Sequence, residues 1–343
     1  MKISVIGAGS WGTALAQVLA DNKVAVSLWV RRSEVAEEIK LTRENKRYLP
    51  GVTISKDVHI SDDLEKVVTN AQIVVMVVPS HAMTSMAREV SRYLKADAIV
   101  VSATKGLEVG TFRRMSQVLS QELPKGFENS IAVLSGPSHA EEVIVGLPTT
   151  IVAASNTKQV AEMVQDAFMN RYFRVYTNPD MTGVELGGAL KNTIALCSGI
   201  ADGLGLGDNA RAALITRGIV EMTRLGVKLG GRKSTFSGLS GIGDLIVTCS
   251  SMLSRNRRAG MEIGRGKTVQ QVMEEANMVI EGVNTAKVAY LLSRKHLVEM
   301  PITEQAYAVL FEKKDPREAV YSLMSREGKH EMEDFIVQSE LEW

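Results

Sequence analysis

Short apolar runs alternate with helix-like segments through the first half of the chain. The run at residues 73–78 is apolar at every position, which is typical of a strand buried on both faces of a parallel sheet. Segments 81–94 and 113–122 have the spacing of helices that cover such a sheet. This alternation predicts an α/β fold of right-handed βαβ units with a doubly wound, mostly parallel, Rossmann-like sheet. The predicted strands are residues 3–6, 25–29, 73–78, 98–102, 131–134 and 149–153.

The pattern changes near residues 178–180, where the strand-like runs stop. A long segment rich in small residues follows at 183–207, and helical apolar spacing returns at 210–229, 269–276, 285–295 and 302–312. We therefore predict a sheet domain over residues 1–180 and an all-helical domain over residues 181–343. Residues 329–343 are polar and acidic, which predicts a frayed or loosely docked tail.

Composition narrows the classes of function. The chain has 343 residues, enough for two domains, and its 40 basic and 39 acidic residues argue against nucleic acid as a partner. Two cysteines, Cys197 and Cys249, are too few for a disulfide framework and favour a cytoplasmic location. The five histidines lack metal-ligand spacing, so no metal site is predicted. We see no signal-peptide pattern, and the longest apolar run is too short to insert into a membrane.

A glycine-rich turn carries the first chemical signal. The first predicted strand runs into Gly7, Gly9 and Gly12, and a helix-favouring segment follows immediately. In a dinucleotide site the first glycine allows a tight turn, the second lets a pyrophosphate approach the backbone, and the third lets helix and strand pack closely. The phosphates would lie at a helix N-terminus, where free N–H groups favour negative charge. The first domain is therefore predicted to bind a dinucleotide.

Two arginines, Arg31 and Arg32, follow the second predicted strand. A site specific for NAD usually carries Asp or Glu here, which bonds the ribose 2′-hydroxyl and would repel a 2′-phosphate. Two guanidinium groups instead suit a phosphate. We therefore predict NADP(H) as coenzyme, with NAD(H) as an alternative, and a solvated basic loop as the alternative interpretation of the pair.

Two further segments follow predicted strands at the sheet edge where ligands of such folds bind. Lys105 lies in the first, as a candidate contact to an anion or carbonyl, although it could also be a surface lysine. The second contains Gly136 and Ser138, which permit close backbone approach and offer a hydroxyl. His139 beside them is a candidate base, but a structural histidine is the favoured interpretation.

The helical half contains three more candidate segments. Lys191 lies among Gly, Ala and Leu, so burial should lower its pKa and suit it to act as a general base on an alcohol. The alternative is a salt-bridged lysine between domains. Asp244 could orient Lys191 and a substrate hydroxyl, or simply cap a helix. The segment 254–258 combines Ser254, an amide and three arginines, which indicates an anion site or else a solvated helix face.

Together these segments resemble the NAD(P)-dependent glycerol-3-phosphate dehydrogenases of the bacterial soluble type. The motifs are G-A-G-S-W-G, A-T-K-G-L-E, S-G-P-S-H-A-E-E, K-N, G-I-G-D-L-x-x-T-C and S-R-N, in order from residue 1 to about residue 330. The resemblance implies reversible hydride transfer between glycerol 3-phosphate and the coenzyme. It makes the helical half the substrate and catalytic domain, and it implies a supply of glycerol 3-phosphate for phospholipid synthesis.

The resemblance also implies roles for individual residues. Lys191 would be the proton acceptor, with Asp244, Lys105 and Thr248 as the other catalytic residues. Substrate would be held by Lys105, Gly136, Ser138, Lys191, Asn192, Asp244, Ser254, Arg255 and Asn256. The coenzyme would contact Gly7, Gly9, Ser10, Trp11, Gly12, Arg31, Arg32, Lys105, Ala140, Arg255, Val279 and Glu281.

Two rival functions remain open on the sequence. One is a related dehydrogenase of a hydroxy acid or sugar acid, and the other is a non-catalytic NADP(H)-binding sensor. The amount of apolar surface in the helical half favours a homodimer, although the sequence does not determine the oligomeric state.

Overall fold

The computed structural model describes residues 1–276, 279–328 and 331. An eight-stranded sheet in the order β10-β9-β8-β7-β6-β1-β2-β5 occupies the first half of the chain. All neighbouring strands are parallel except β8 and β9, so the predicted doubly wound, mostly parallel sheet is confirmed. The strands are β1 Lys2–Ile6, β2 Ala25–Trp29, β3 Glu44–Asn45, β4 Leu49–Thr53, β5 Val58–Ser61, β6 Ile73–Met76, β7 Ile99–Ser102, β8 Ile131–Ser135, β9 Thr149–Ala154 and β10 Phe173–Asn178.

Helices cover both faces of this sheet. The α-helices of the first half are α1 Ser10–Asp21, α2 Ser33–Thr42, α3 Leu64–Val68, α4 Met83–Ser91, α5 Met115–Glu122, α6 Ala140–Val143 and α7 Lys158–Phe168. In β6, Ile73 and Val75 join the apolar core that includes α1 and α7, whereas Val74 and Met76 join the core that includes α4 and α5. Burial of both faces explains why the strand is apolar at every position.

The second half is helical. Its α-helices are α8 Met181–Gly203, α9 Gly207–Lys228, α10 Lys233–Phe236, α11 Asp244–Ser250, α12 Arg255–Gly264, α13 Val269–Glu275, α14 Glu281–His296, α15 Pro301–Phe311 and α16 Pro316–Met324. The long helix α8 is central and packs against α9, α12 and α14. A Cβ atom at Gly199 would lie 2.0 Å from the carbonyl oxygen of Arg257, and one at Gly260 would lie 2.1 Å from that of Leu196. The small residues of α8 are therefore required by close backbone contact with α12.

Two buried carboxylates hold helix α8 in place. Glu185 on α8 accepts hydrogen bonds from the backbone N–H of Ser116 at 2.7 Å and from its hydroxyl at 2.5 Å, and it pairs with Arg114. This carboxylate satisfies a backbone N–H at the start of α5 and joins the helical half to the sheet domain. Asp180 accepts from the N–H of Gly183 and from that of Arg232, so it holds the beginning of α8 against the loop before α10.

Several elements were not predicted. The strands β3, β4, β5 and β10 are missing from the predicted set, as are α10, α11, α12 and α16. Strand β3 has only two residues, too few to show alternation. Helix α12 begins within the arginine-rich segment, whose charges obscure its apolar spacing. The predicted tail at 329–343 lies outside the described residues, apart from Glu331.

In the described part of the chain, no single helix is long and apolar enough to cross a membrane. One bent pair of helical segments, Lys233–Ser250 with Arg255–Gly264, meets the requirements of length and apolar character only jointly. Among the described residues, no group of three or more His, Cys, Asp or Glu side chains is arranged to hold a metal ion.

Candidate active site

A cleft of about 790 Å³ lies between the sheet edge and the helical half. All of the predicted site residues except Gly136 line this cleft. The fold therefore brings together side chains that are as far apart in the sequence as Gly7 and Glu281. Gly136 is not among the residues that line the cleft, but its carbonyl accepts a hydrogen bond from Lys105 Nζ at 2.7 Å. Its backbone therefore helps to position Lys105, and its predicted substrate contact stays a prediction.

The glycine loop has the geometry that a dinucleotide requires. Gly7 has a φ of +117°, which side chains disfavour, and a Cβ there would lie 2.4 Å from the carbonyl oxygen of Val77. A Cβ at Gly12 would lie 1.9 Å from the carbonyl oxygen of Gly7, so the close packing of α1 on the loop excludes any side chain. Gly9, in contrast, faces open space and caps α1 without a side-chain hydrogen bond.

These features fit a coenzyme diphosphate. The uncapped N-terminus of α1 offers backbone donors to an anion. Trp11 also lines the cleft, and its indole N–H is buried without a hydrogen-bond partner among the described residues. Ser10, Gly9 and Gly12 complete this wall. The cleft thus provides both the close backbone approach and the free donors that a dinucleotide needs.

Arg31 and Arg32 line the same cleft and are exposed. Arg32 lies 3.7 Å from Glu34, a solvent-exposed pair of little energetic weight. Sequence reasoning missed two further residues of this cleft, Arg47 and Tyr48. They belong to the hairpin of β3 and β4. Strand β3 has only two residues, and β4 contains Pro50 and Gly51, which are uncommon inside strands.

Three charged side chains, Lys105, Lys191 and Asp244, form a cluster in the cleft. Lys191 Nζ donates to Asp244 Oδ1 at 2.7 Å, and Lys105 Nζ donates to Asp244 Oδ2 at 2.8 Å. The side chain of Asp244 is 1% exposed and that of Lys191 is 7% exposed. A single carboxylate therefore aligns two ammonium groups, one on each oxygen. We call these three residues the lysine–aspartate cluster.

Each member of the cluster comes from a different element. Lys105 follows β7, Lys191 lies in α8, and Asp244 begins α11. A Cβ on Gly188 would lie 2.5 Å from Ser135 Oγ and 3.6 Å from Lys105 Cγ, so this glycine lets α8 approach the sheet edge. Lys191 is ion-paired, but its partner lies in the helical half. Within the cluster, the pair that crosses between the halves is Lys105 with Asp244.

The cluster controls the protonation of its members. Burial lowers the pKa of Lys191 to about 8, and the nearby ammonium of Lys105 adds to that effect while Asp244 opposes it. Burial alone would raise the pKa of Asp244, but the two lysines outweigh it and hold that pKa below its ordinary value. Asp244 thus stays ionised, whereas Lys191 can exchange a proton near neutral pH. A general base on an alcohol needs this behaviour.

The helix-capping alternative for Asp244 is wrong. Helix α11 continues from a π-helical turn at Leu239–Gly243, and its capping position is Gly243. The carboxylate of Asp244 accepts from lysines because it lies inside the first turn and faces the cleft.

Neutral side chains surround the cluster. Thr248 Oγ1 accepts from Lys191 Nζ at 2.6 Å and donates to the carbonyl oxygen of Asp244 at 2.6 Å. Asn256 Nδ2 donates to Asn192 Oδ1 at 2.9 Å, and Asn256 Oδ1 accepts from the N–H of Gly282 at 2.9 Å. Thr248 therefore restrains the ammonium of Lys191 on one side, whereas the two asparagines bind each other.

The arginine-rich segment is only partly an anion site. Ser254 caps α12 by accepting from the N–H of Arg257 at 3.2 Å, and Arg257 pairs with Asp202 at 2.8 Å away from the cleft. Arg258 does not line the cleft, whereas Arg255, Ser254 and Asn256 do. Of the three arginines in this segment, only Arg255 therefore lines the cleft, together with Ser254 and Asn256.

The remaining predicted residues close the cleft. Glu281 begins α14 and accepts from the N–H of Ser80 at 3.0 Å and from its hydroxyl at 2.7 Å, which ties the helical half to the loop after β6. Arg255 Nη1 donates to the carbonyl oxygen of Val279 at 3.2 Å. Asn277 and Met278 of the same motif lie outside the described residues.

The loop before α6 adds Ser138 and His139 to the cleft wall, and the first residue of α6 adds Ala140. Ser138 lies 3.3 Å from Lys105 Nζ. Burial lowers the pKa of His139, with Lys191 adding to the shift, and its Nε2 is buried without a partner among the described residues. The imidazole is therefore neutral, and Lys191 is the better-positioned base because it has both an orienting carboxylate and a hydroxyl partner.

The glycine loop and the lysine–aspartate cluster in one interdomain cleft define a dinucleotide-dependent dehydrogenase. Comparison with known proteins identifies the family. The model for the N-terminus of NAD-dependent glycerol-3-phosphate dehydrogenase matches residues 2–161, and the model for its C-terminus matches residues 180–321. The chain belongs to the family of NAD-dependent glycerol-3-phosphate dehydrogenases.

Individual relatives agree with this assignment. The chain is 54% identical to the NAD(P)+ glycerol-3-phosphate dehydrogenase of Thermoanaerobacter sp. (strain X514), over 97% of this chain and 99% of that protein. It is 52% identical to the protein of the same name from Bacillus thuringiensis (strain Al Hakam), over 97% and 98%. The crystal structure of glycerol-3-phosphate dehydrogenase from Coxiella burnetii is similar with a TM-score of 0.90 and 40% identity, over 95% of this chain and 99% of that one.

Proposed function

We propose that this chain catalyses reversible hydride transfer between sn-glycerol 3-phosphate and NAD(P)+, giving dihydroxyacetone phosphate and NAD(P)H. The observation that carries the proposal is the lysine–aspartate cluster, in which a lysine with a pKa of about 8 shares a cleft with a dinucleotide-type glycine loop. The relatives that are 52% to 54% identical carry the corresponding name over nearly their whole length.

In the oxidative direction, neutral Lys191 takes the proton of the substrate C2 hydroxyl while the C2 hydride leaves. Asp244 holds the lysine in place, and Thr248 accepts one of its N–H groups, so its nitrogen is oriented towards the cleft. Bound NAD(P)+ supplies the hydride acceptor, which no side chain can provide. In the reductive direction, the Lys191 ammonium donates its proton to the developing alkoxide.

The substrate phosphate is assigned to Arg255 with Ser254 and Asn256. A dianion is bound best by charge-assisted donors, and this wall of the cleft contains a guanidinium, a hydroxyl and an amide. Lys105 is assigned to the substrate carbonyl or hydroxyl, because it lines the cleft and its ammonium is positioned beside Lys191 by their shared partner Asp244.

We propose NADP(H) as the preferred coenzyme, with Arg31 and Arg32 on its 2′-phosphate. Residues 1–180 and 181–343 would act as coenzyme and catalytic domains, with the helical half favouring a homodimer. The enzyme would supply glycerol 3-phosphate for glycerophospholipid synthesis in the cytoplasm, where its two unpaired cysteines would remain reduced.

The test is oxidation of NADPH with dihydroxyacetone phosphate, repeated with NADH and with 2-keto acids. We expect turnover of dihydroxyacetone phosphate alone, with a higher kcat/KM for NADPH than for NADH. Arg31→Ala and Arg32→Ala should lower kcat/KM for NADPH by about tenfold and leave NADH nearly unchanged, because a phosphate contact is lost. Turnover of a 2-keto acid instead, or no turnover at all, would contradict the proposal.

A further inference from the structure

The hairpin of β3 and β4 brings two unassigned residues into the cleft. Its tip is residues 46–48, between Glu44–Asn45 and Leu49–Thr53. Arg47 and Tyr48 of this tip line the same cleft as Arg31 and Arg32. The guanidinium carbon of Arg47 lies 5.5 Å from the centroid of the Tyr48 ring, a distance at which cation–π attraction restrains it. The hairpin therefore adds an unassigned arginine to the cleft that contains Arg31 and Arg32.

The hairpin is attached directly to the glycine loop. Asn45 is 1% exposed, and its Nδ2 donates to the carbonyl oxygen of Ala8 at 2.9 Å and contacts Thr13 Oγ1 at 2.9 Å. Since a carbonyl oxygen can only accept, this contact determines the orientation of the amide. Ala8 lies between two glycines of the loop, and Thr13 lies in the first turns of α1. One buried side chain thus couples the hairpin to the coenzyme-binding turn.

The tip residues differ in their ionic partners. Lys46 lies 3.5 Å from Glu38 and does not line the cleft. Arg47 lies within 4.0 Å of no carboxylate in the described part of the chain, so its charge is available to an anion in the cleft. A fork of N–H donors in the cleft that also contains Arg31 and Arg32 suits a phosphate monoester.

We propose that Arg47 is a specificity-determining residue that binds the 2′-phosphate of NADP(H), and that Asn45 is a positioning residue that holds the hairpin against the glycine loop. This inference rests on the proposed coenzyme. The two residues have different roles. Arg47 raises the affinity for NADP(H) over that for NAD(H). Asn45 affects the affinity for both coenzymes equally, because it acts through the loop that holds their common diphosphate.

The experiment measures equilibrium dissociation constants of the full-length protein for NADPH and NADH by tryptophan fluorescence. Arg47→Ala should raise Kd for NADPH by about tenfold and change Kd for NADH less than about twofold, since only the former offers the charge-assisted contact. Arg47→Lys should recover part of the NADPH affinity. Lys46→Ala is the matched control and should leave both constants within about twofold, because an exposed surface pair contributes little.

Asn45→Asp tests the positioning role with a side chain of the same shape that cannot donate to a carbonyl. We expect Kd to rise by a similar factor for both coenzymes, with kcat at saturating coenzyme nearly unchanged. Thr13→Val, which removes the second contact, should act in the same direction to a smaller extent. Circular dichroism and Tm identify any variant that fails to fold.

Failure of the inference can be distinguished from failure of the proposed function. If the wild type binds NADPH, and Arg31→Ala weakens that binding while Arg47→Ala does not, the inference is overturned and the function stands. Equal weakening of both coenzymes by Arg47→Ala also overturns the specificity role. A fall in kcat alone for Asn45→Asp overturns the positioning role. A wild type that binds no NADPH contradicts the proposed coenzyme and with it the inference.

Discussion

Two buried carboxylates in the helical half, Asp244 and Glu221, have opposite electrostatic environments. Asp244 is 1% exposed and faces the ammonium groups of Lys105 and Lys191. Glu221, in α9, is 2% exposed and accepts from the N–H of Ile302 at 2.5 Å and from the N–H and hydroxyl of Thr303 at 3.1 and 2.9 Å. One carboxylate pairs with two ammonium groups, and the other caps the N-terminus of α15.

Their pKa values differ for that reason. Burial raises the pKa of Glu221 to about 7, although the hydrogen bonds from Ile302 and Thr303 oppose the shift. Asp244 is just as buried, but the charges of Lys105 and Lys191 keep its pKa below the ordinary value. Burial without a cationic partner therefore favours the neutral, protonated form of a carboxyl group, as at Glu221. Two opposing cations are what keep a buried carboxylate ionised and make it useful to a proton-transfer site.

Lys191→Ala should have the largest effect. Removal of the base should lower kcat by about 10²- to 10⁴-fold, the usual contribution of general acid–base catalysis. Kd for NADPH should stay within about twofold, because Lys191 is assigned to the substrate and not to the coenzyme. Steady-state rates and fluorescence titration measure the two quantities. A variant with more than about a tenth of the wild-type kcat would remove Lys191 from the role of base.

Asp244→Asn should have the next largest effect. The amide keeps the shape but leaves two ammonium groups beside each other without a counter-charge, so we expect kcat to fall by about ten- to a hundredfold. The pKa of Lys191 should fall below about 8, because Asp244 is the group that raises it. Rates across pH 6 to 10 measure both effects. The matched control is Glu221→Gln, the same carboxylate-to-amide change at the other buried site, for which we expect unaltered kcat.

Lys105→Met should have a smaller effect on chemistry. It removes one cation from Asp244 and also relieves the repulsion that lowers the pKa of Lys191. The pH midpoint for oxidation should therefore move towards higher pH, opposite in direction to Asp244→Asn. KM for dihydroxyacetone phosphate should rise as well, because the proposed substrate contact is lost. If the pH midpoints of both variants moved in the same direction, the charges of Lys105 and Asp244 would not control the pKa of Lys191.

Glu221→Gln should change stability and leave activity alone. The folded protein binds the Glu221 proton more tightly than the unfolded chain does, since the folded pKa is raised from 4.5 to about 7. Its contribution to stability is then complete below pH 4.5 and is lost as pH rises through about 7. Over this range the difference in unfolding free energy between wild type and variant should change by about 1 to 3 kcal/mol.

Urea unfolding at several pH values measures this difference. A difference that stays constant between pH 5 and 8 would show that Glu221 is ionised throughout, in which case the contrast with Asp244 would disappear.

Local signals predicted much of this architecture. Six strands were predicted to within one or two residues, because apolar runs and the glycine turn are contained within short windows. The pairing of Asp244 with Lys191 was also anticipated, since both lie in helical segments that carry polar groups among small residues. The antiparallel direction of β9 was not predicted, because its residues resemble those of a parallel strand.

Other features depend on contacts that are distant in sequence. The second lysine on Asp244 lies 139 residues away, and no pattern around Lys105 indicates which carboxylate it meets. Arg257 forms an ion pair with Asp202 because α12 packs against α8. Such pairings depend on how the helices pack against one another. The sequence alone therefore could not show that only one of the three arginines in segment 254–258 lines the cleft.

The pH dependence of kcat/KM for glycerol 3-phosphate between pH 7 and 10 tests the central claim most directly, because it reports the essential base of the free enzyme. We predict a rise to a plateau with a midpoint at about 8, matching the pKa of Lys191, and a lower midpoint in Asp244→Asn. A rate that keeps increasing to pH 10, as an ordinary lysine requires, or that does not change with pH, would contradict the account.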